Sequence, residues 1–517
     1  MKSQLVTNIC LLILCLGAAN YAPWPLLAVL SSLLPLLLNT WRVPGGFAWR
    51  GGARSNQPAA VPGPSSWPLL GCIPVMGPVA HRRLADLAAS YGASRLMAIS
   101  LGATRVVISS HPDTAREILC GSAFADRPAK ESARLLMFER AIGFAPSGEY
   151  WRHLRRVAAA HMFCPRRISA LEGLRQRVAG DMIERVGEEM EKIGAVELRR
   201  VLQRGSLQSV VSSLFGKFLG QEREVELEGM VKEGYELIGS FNWEDHFPMG
   251  GLVDFHGVGK RCQRLADKVR SLLGEVMQER RRNGLDSGDD FLGVLLSLPK
   301  EESLCDSDIM AVLWEMLFRG TDVVAILLEW IMARMTLHLD VQAKVQEEIT
   351  SCLSGARRYV WDSDVPSLPY LQAVVKEVLR LHPPGPLLSW ARLAIRDVHV
   401  GKSFVPAGTT AMVNMWAITH DGSIWKDPWA FRAERFLEEE VNVLGSDLRL
   451  APFGAGRRAC PGRALGLATV HLWLARLLQH YTWLPARPVV LAEHLRLSME
   501  MKKPLVCRAV PRSSTGY

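Results

Sequence analysis

The sequence predicts a mainly α-helical body with a smaller β-rich part, carried behind an N-terminal hydrophobic anchor. Three observations support this. Amphipathic runs of helical period fill residues 168–192, 200–218, 225–241 and 260–283, and longer helices are expected over Asp306–Met335 and Leu368–Leu381. Strand-like runs are short and lie outside that region, the clearest being Leu96–Leu101 and Arg105–Ser109 around Gly102, Ala103 and Thr104. No charged residue occurs from Ser3 to Trp41.

The 517 residues suffice for two average domains or one large one, and 48% hydrophobic content is ample for a core. Ten cysteines are scattered with no C-x-x-C pair, which argues against a disulfide scaffold or zinc site and suits a reducing compartment. The net charge of +9 fits a solvated basic surface, or attraction to anionic lipid and to an acidic partner. Basic residues are dispersed without aromatic interleaving, so no nucleic-acid partner is expected. There is no G-x-S-x-G, H-E-x-x-H or P-loop, and Gly454 with Gly456 lacks the third glycine of a dinucleotide fingerprint.

In chain order, residues 1–41 form the anchor. Two apolar runs, Leu5–Ala19 and Trp24–Leu38, flank Pro23 and Pro25. Each is slightly short for a bilayer span and the pair is long for one, so one span and a hairpin both stay open. A cleaved signal peptide is the competing reading, since Gly17, Ala18 and Ala19 fit a cleavage site, but the second run would still anchor the chain. Arg42, Arg50 and Arg54 follow the anchor against Lys2 before it, which puts the body on the cytosolic side. Residues 42–70 read as a Pro/Gly-rich linker and hinge, stiffened by Pro62, Pro64 and Pro68.

The globular domain, residues 71–517, opens with a helix over Val79–Tyr91 and the hairpin. A short helix to Leu119 follows, with Asp113 as its cap, then a poorly patterned loop to Tyr150. Trp151 and Arg155 stand four apart on the next helix, hence on one face, and Arg152, Arg156, Arg166 and Arg167 add positive charge nearby. Phe241, Trp243, Phe247 and Phe255 read as core rather than as the roof of a pocket. Asp306 or Ser307 is expected to cap the longest helix. Glu377 and Arg380 stand three apart, as surface ion pairs do. His382, before Pro383 and Pro384, reads as a structural hydrogen-bonder. Leu387, Leu388, Trp390 and the segment Leu497–Met501 are candidate pocket walls.

One stretch near the end carries chemistry of its own. Phe453, Gly456, Arg458, Cys460 and Gly462 form a glycine-rich turn ahead of an apolar helical run. A lone cysteine is ordinarily a small core residue. Here Gly456 and Gly462 permit backbone approaches that larger residues block, and Pro461 suits the first turn of the helix. A thiol at a helix N-terminus beside arginines is expected to shift toward thiolate, the form that ligates iron.

The spacing Phe453-x-x-Gly456-x-Arg458-x-Cys460-x-Gly462 resembles the haem-binding signature of the cytochrome P-450 family. The resemblance implies that Cys460 is the axial thiolate of haem b and the metal ligand. It implies that Arg458, Trp151, Arg155 and Arg392 contact the haem propionates, with Phe453 in the same binding segment. Glu377, Arg380 and Arg435 resemble the family's structural Glu-Arg-Arg network, with Ala433 where proline is frequent. In the family the longest helix crosses the haem, with Gly320 opening a groove for oxygen and Asp322 serving a proton relay. The chain departs at Val323, where the family has an alcohol; valine keeps threonine's shape and loses its hydrogen bond.

The stretches around Phe124–Pro128, Gly143–Trp151, Trp314–Trp330 and Pro386–Arg392 look like a plant A-type subfamily, the KLUH/plastochron-like organ-growth enzymes. That implies a monooxygenase on the endoplasmic reticulum membrane, facing the cytosol. Its substrate would be a hydrophobic molecule, with fatty-acid derivatives as one candidate class, and its electrons would come from NADPH–cytochrome P-450 reductase. Val323 keeps two alternatives open: a haem-thiolate isomerase or dehydratase that needs no oxygen activation, and a non-catalytic haem-binding membrane sensor.

Overall fold

The computed structural model describes residues 43–49 and 61–512, apart from residues 129, 217–220, 241, 243–244, 248–256, 283–289, 354–357 and 389–390. The anchor, much of the linker, Phe241, Trp243, Phe255 and Trp390 lie outside the described residues. Among those described, no helix is long and apolar enough to cross a membrane.

Six helices position the site: α1 (Glu149–His161), α2 (Glu172–Ile193), α3 (Leu198–Phe215), α4 (Asp306–Leu337), α5 (Pro369–Leu381) and α6 (Arg463–His480). Helix α4, 32 residues long, is apolar on most of its circumference, so it is buried on all sides rather than along one stripe. Its first half, from Ile309 to Phe318, enters a core shared with α1, α3 and the helix Val258–Arg282. Its second half, from Ala325 to Met335, enters another core with α2, α5 and α6. Residues 319–324, between the two, give no fully buried apolar side chain to either. This break in the packing is where the cavity described below opens.

The β-rich part is small. Strands β1 (Met97–Leu101) and β2 (Thr104–Ser109) form a hairpin in which Leu101 pairs with Thr104, so the turn is Gly102 and Ala103 alone. Strand β3 (Val196–Glu197) belongs to a separate sheet. Strands β4 (Arg392–Leu393) and β7 (Thr410–Val413) complete the first sheet in the order β1-β2-β7-β4, with β2 and β7 parallel and Arg392 opposite Ala411. Between them, β5 (Val398–Val400) and β6 (Ser403–Val405) make a ribbon. The second sheet runs β3-β11-β8, from β8 (Tyr481–Pro485) and β11 (Val506–Pro511). A last hairpin joins β9 (Glu493–Leu495) to β10 (Met499–Met501).

Several local expectations are corrected. The helix Pro112–Cys120 is capped by His111, whose Nδ1 accepts from the Asp113 N–H. With Pro112 at the first helical position, Asp113 already lies inside the turn and cannot cap it. Helix α4 has Cys305 at its N-cap, and Asp306 sits in the first turn, where it pairs with Arg281. The stretch before Tyr150 holds a helix, Glu131–Leu136, too short to show a period. Helix α6 starts at Arg463 with Gly462 at its N-cap, so Pro461 precedes the helix.

The Glu377–Arg380 pair is not on the surface. Both side chains are fully buried, with Arg380 Nε and Nη2 each 2.8 Å from a Glu377 oxygen. Arg435 Nε stands 3.1 Å from Glu377 Oε2. Arg380 Nη1 donates to the carbonyls of Thr419 and Pro428 at 2.8 and 2.7 Å. With its donors occupied, this network fixes the chain after α5 against residues 419–435.

Candidate active site

A cavity of about 340 Å³ lies between α4 and the turn before α6. Its walls include Glu315, Arg319, Gly320, Val323 and Val324 from α4, and Phe453, Arg458 and Cys460 from the turn. Trp151 and Arg155 reach it from α1, Arg392 from β4, and Leu388 and Ser498 from two loops. The expected residues Gly320, Val323, Cys460, Arg458, Trp151, Arg155, Arg392 and Phe453 thus meet at one place. Leu387 does not border the cavity, and of the segment 497–501 only Ser498 does.

The turn is built by its glycines. Gly456 has φ +67°, and a Cβ there would stand 2.4 Å from the Leu119 carbonyl oxygen, so only glycine fits. At Gly462 a Cβ would meet the Phe163 ring at 3.2 Å. The Cys460 N–H donates to the Phe453 carbonyl at 2.9 Å, which closes the loop and presents the thiol to the cavity. Cys460 is exposed by surface area and borders that space, with the protein packed densely around the turn. Burial raises its pKa, opposed by the Gly462 N–H and by Arg319, Arg155 and Arg463. The expected drift toward thiolate is therefore not achieved by the protein's groups alone, because desolvation of the charge outweighs them.

The arginines crowd together. Arg458 donates to the carbonyls of Ala125 at 3.0 Å and Ala145 at 2.7 Å, and lies 4.2 Å above the Trp151 ring. The indole N–H of Trp151 donates to Ile142 O at 3.0 Å, which fixes the ring as a platform. Arg155 donates to Ala459 O at 3.0 Å and Arg392 to Ala455 O at 3.3 Å. Burial first, then mutual repulsion, lowers Arg392 to about 10; burial also brings Arg458 to about 10, against the pull of Asp126. Arg127, unmarked as a site residue in the sequence reading, joins them: burial, then Arg392 and Arg458, lower its pKa.

Such crowding is unfavourable unless anions enter, and the bonds of Arg155 and Arg392 to neutral carbonyls leave their charge uncompensated. A flat group with two carboxylates, seated over a cysteine, fits these residues. Haem has that chemistry.

On the α4 side, a Cβ at Gly320 would stand 2.8 Å from Val210 Cγ2, so this glycine also lets α3 approach closely. Thr321 turns its hydroxyl into the helix, donating to Leu317 O at 2.7 Å, and does not replace the alcohol missing at Val323. Asp322 does not border the cavity. Two residues along a helix from Gly320, it points elsewhere, and its Oδ1 accepts from Gln203 of α3 at 3.3 Å. Burial and Glu500 raise its pKa to about 6, opposed by Gln203 and Arg199. Glu315, also missed in the sequence, is a half-buried carboxylate in the cavity wall that accepts from the Gly143 N–H at 2.8 Å. Burial raises its pKa against the pull of Arg319.

The cytochrome P-450 family model matches residues 61–508. Cytochrome P-450 78A5 of Arabidopsis thaliana is 54% identical over 483 residues, covering 91% of this chain and 92% of that protein. Cytochrome P-450 78A3 of Glycine max is 49% identical over 500 residues, 95% of each. A flavonoid 3'-monooxygenase of Arabidopsis thaliana is 34% identical over 481 residues, 89% of this chain and 93% of its own length. The cofactor of this family is haem, and the cysteine-centred cavity has the chemistry to hold it. The chain belongs to the cytochrome P-450 family, on its plant 78A branch, and is a haem-thiolate monooxygenase.

Proposed function

We propose that this enzyme inserts one oxygen atom from O₂ into a hydrophobic substrate, with fatty-acid derivatives as the first class to test. The observation that carries the reading is the single cavity in which Cys460, three predicted propionate arginines and the α4 segment around Val323 face one another. Electrons come from NADPH through a flavoprotein reductase that docks on basic residues. Residues 1–41 anchor the chain in the endoplasmic reticulum membrane, residues 42–70 set its height, and residues 71–517 are the haem-thiolate catalytic domain in the cytosol. The 78A relationship supports a role in plant organ or seed growth.

Bound haem supplies the oxygen chemistry, its iron enriched in electron density by a thiolate ligand. The chain's residues do the rest. Cys460 would ligate the iron, and Arg155, Arg392 and Arg458 would hold the two carboxylates against Trp151. Phe453 holds the cysteine loop. Gly320 and Val323 shape the space for oxygen, while Val324, Leu327 and Leu388 keep it apolar. Asp322, raised to about 6 by burial and Glu500, is mostly ionised at neutral pH and accepts from Gln203, so it takes up a proton only on mild acidification.

The test is isotope incorporation by the full-length protein with a flavoprotein reductase, NADPH, heavy-isotope O₂ and a fatty-acid panel. One labelled oxygen in the product is expected. Turnover of a hydroperoxide without NADPH, and no label, would instead favour the isomerase or dehydratase reading, which Val323 motivates.

A further inference from the structure

A buried polar cluster lies behind the cavity wall, outside the machinery described above. At its centre is Glu493 at the start of β9, its side chain 2% exposed. Its Oε2 accepts from Arg82 Nε at 2.7 Å and stands 3.0 Å from His81 Nε2. Its Oε1 faces His382 Nδ1 at 3.6 Å. Arg334 of α4 donates to His382 Nε2 at 2.8 Å, so the neutral ring carries its hydrogen on Nδ1, toward Glu493. Burial lowers His382 to about 4, and bonds from His81 and Arg82, with His382 facing the other oxygen, hold the Glu493 carboxylate ionised against its desolvation.

Two arms of this cluster lead to different pieces of the cavity wall, and the third, through His81 and Arg82, leads to the helix Ala80–Ser90. His382 is followed by Pro384, Gly385 and Leu388, which line it. Its ring stacks on Trp330 of α4, 4.0 Å between centroids. Trp330 Nε1 donates to Met499 O at 2.9 Å, and the Met499 N–H donates to Pro384 O at 2.8 Å. Glu493 begins the hairpin whose turn presents Ser498 to the cavity, and Leu495 N–H donates to Pro78 O at 2.7 Å. One carboxylate therefore ties together α4, the turn after α5, the β9–β10 hairpin and the helix Ala80–Ser90.

We propose that Glu493 is a positioning residue that fixes the wall formed by the β9–β10 turn and residues 384–388, and so sets which ligands the cavity accepts. This rests on reading the cavity as the haem and substrate pocket. Side chains on separate loops keep a defined shape only if their supports are fixed, and a buried carboxylate held by Arg82 and His81 gives the hairpin such a support.

The experiment uses the full-length, haem-loaded protein. Imidazole and the larger phenylimidazole are titrated while the haem absorption band is followed, and the ferrous–carbonyl spectrum reports thiolate ligation separately. Glu493→Gln keeps the carbonyl spectrum, leaves imidazole binding unchanged and weakens phenylimidazole about tenfold. Arg82→Met, which removes only the outermost arm, moves the ratio of the two affinities in the same direction by less. Ser498→Leu changes the same ratio from the hairpin tip. Unchanged ligand discrimination in Glu493→Gln and Arg82→Met, with normal carbonyl spectra, overturns the proposal. Loss of the carbonyl spectrum in both would also overturn it, since the cluster would then only hold the fold. A wild-type protein with no thiolate-type carbonyl spectrum would instead sink the reading of the cavity itself.

Discussion

At residue 323 two methyl groups stand where a hydroxyl would hold water, and the nearest hydroxyl, on Thr321, is already given to Leu317 O. Val323→Thr fits the same volume and restores a donor at the cavity. The variant is expected to convert a larger share of NADPH into product and less into peroxide, measured by product formed per NADPH consumed. Asp322 gives a second test. Its folded pKa of about 6 lies above the ordinary 3.8, because of burial and Glu500, with Glu228 adding to the repulsion and Gln203 and Arg199 opposing it. The folded state thus binds more protons than the unfolded one between these values, so this group's contribution to stability falls as pH rises through that window. Asp322→Asn is expected to raise the melting temperature at pH 7 and to lose that advantage toward pH 4, an effect worth up to about 3 kcal/mol. Cys460, Arg458 and Gly456 were legible because they form one contiguous signature. Arg127 and Glu315 were not, since a single arginine or glutamate has no pattern until the fold brings it to a cavity.

The elements tell a similar story about range. Helix α4 was legible within two residues of its end, because burial on all sides leaves a long apolar run. The hairpin was legible because glycine marks its turn, which is one residue shorter than expected. Caps were harder: His111 and Cys305 displaced the expected acids, since a cap depends on backbone geometry one residue either way. The Glu377–Arg380–Arg435 network looked like a surface pair from spacing alone, and only the P-450 resemblance gave it a structural role. Being buried, it makes a sharp prediction. Arg380→Ala leaves the buried Glu377 carboxylate with Arg435 alone among the arginines and unpairs the carbonyls of Thr419, Pro428 and Ala430, at a cost of about 3–5 kcal/mol. The expected outcome is little or no haem-loaded protein, read by the ferrous–carbonyl spectrum. The cluster around Glu493 was invisible in sequence because its partner His81 lies 412 positions away.

For the molecule as a whole, charge distribution is the property that the sequence gives only as a total. Arg152, Arg156, Arg166 and Arg457 are exposed and lie close in sequence to the cavity-lining Arg155 or Arg458. If an acidic flavoprotein approaches this face, encounter is steered by the field and weakens with ionic strength. Arg156→Glu is expected to slow haem reduction by the reductase at low salt by about tenfold and to flatten the salt dependence, measured by stopped-flow carbonyl formation. The anchor was read from hydropathy and flanking charge and the linker from its proline and glycine content, and the anchor and much of the linker fall outside the described residues.

The inward-facing arginines have a consequence for how the protein is made. Burial first, and then repulsion from neighbouring arginines, lowers the proton affinity of Arg127, Arg155, Arg392 and Arg458, with Glu315 and Asp126 opposing it in part. A newly synthesised chain that folds before meeting haem must hold this like-charge cluster together unaided. Cofactor uptake would then act as the final stage of assembly, its carboxylates neutralising the cluster and joining α1, β4 and the cysteine turn. Supply of haem, and not synthesis of polypeptide alone, would set how many copies of the enzyme survive quality control in the cell.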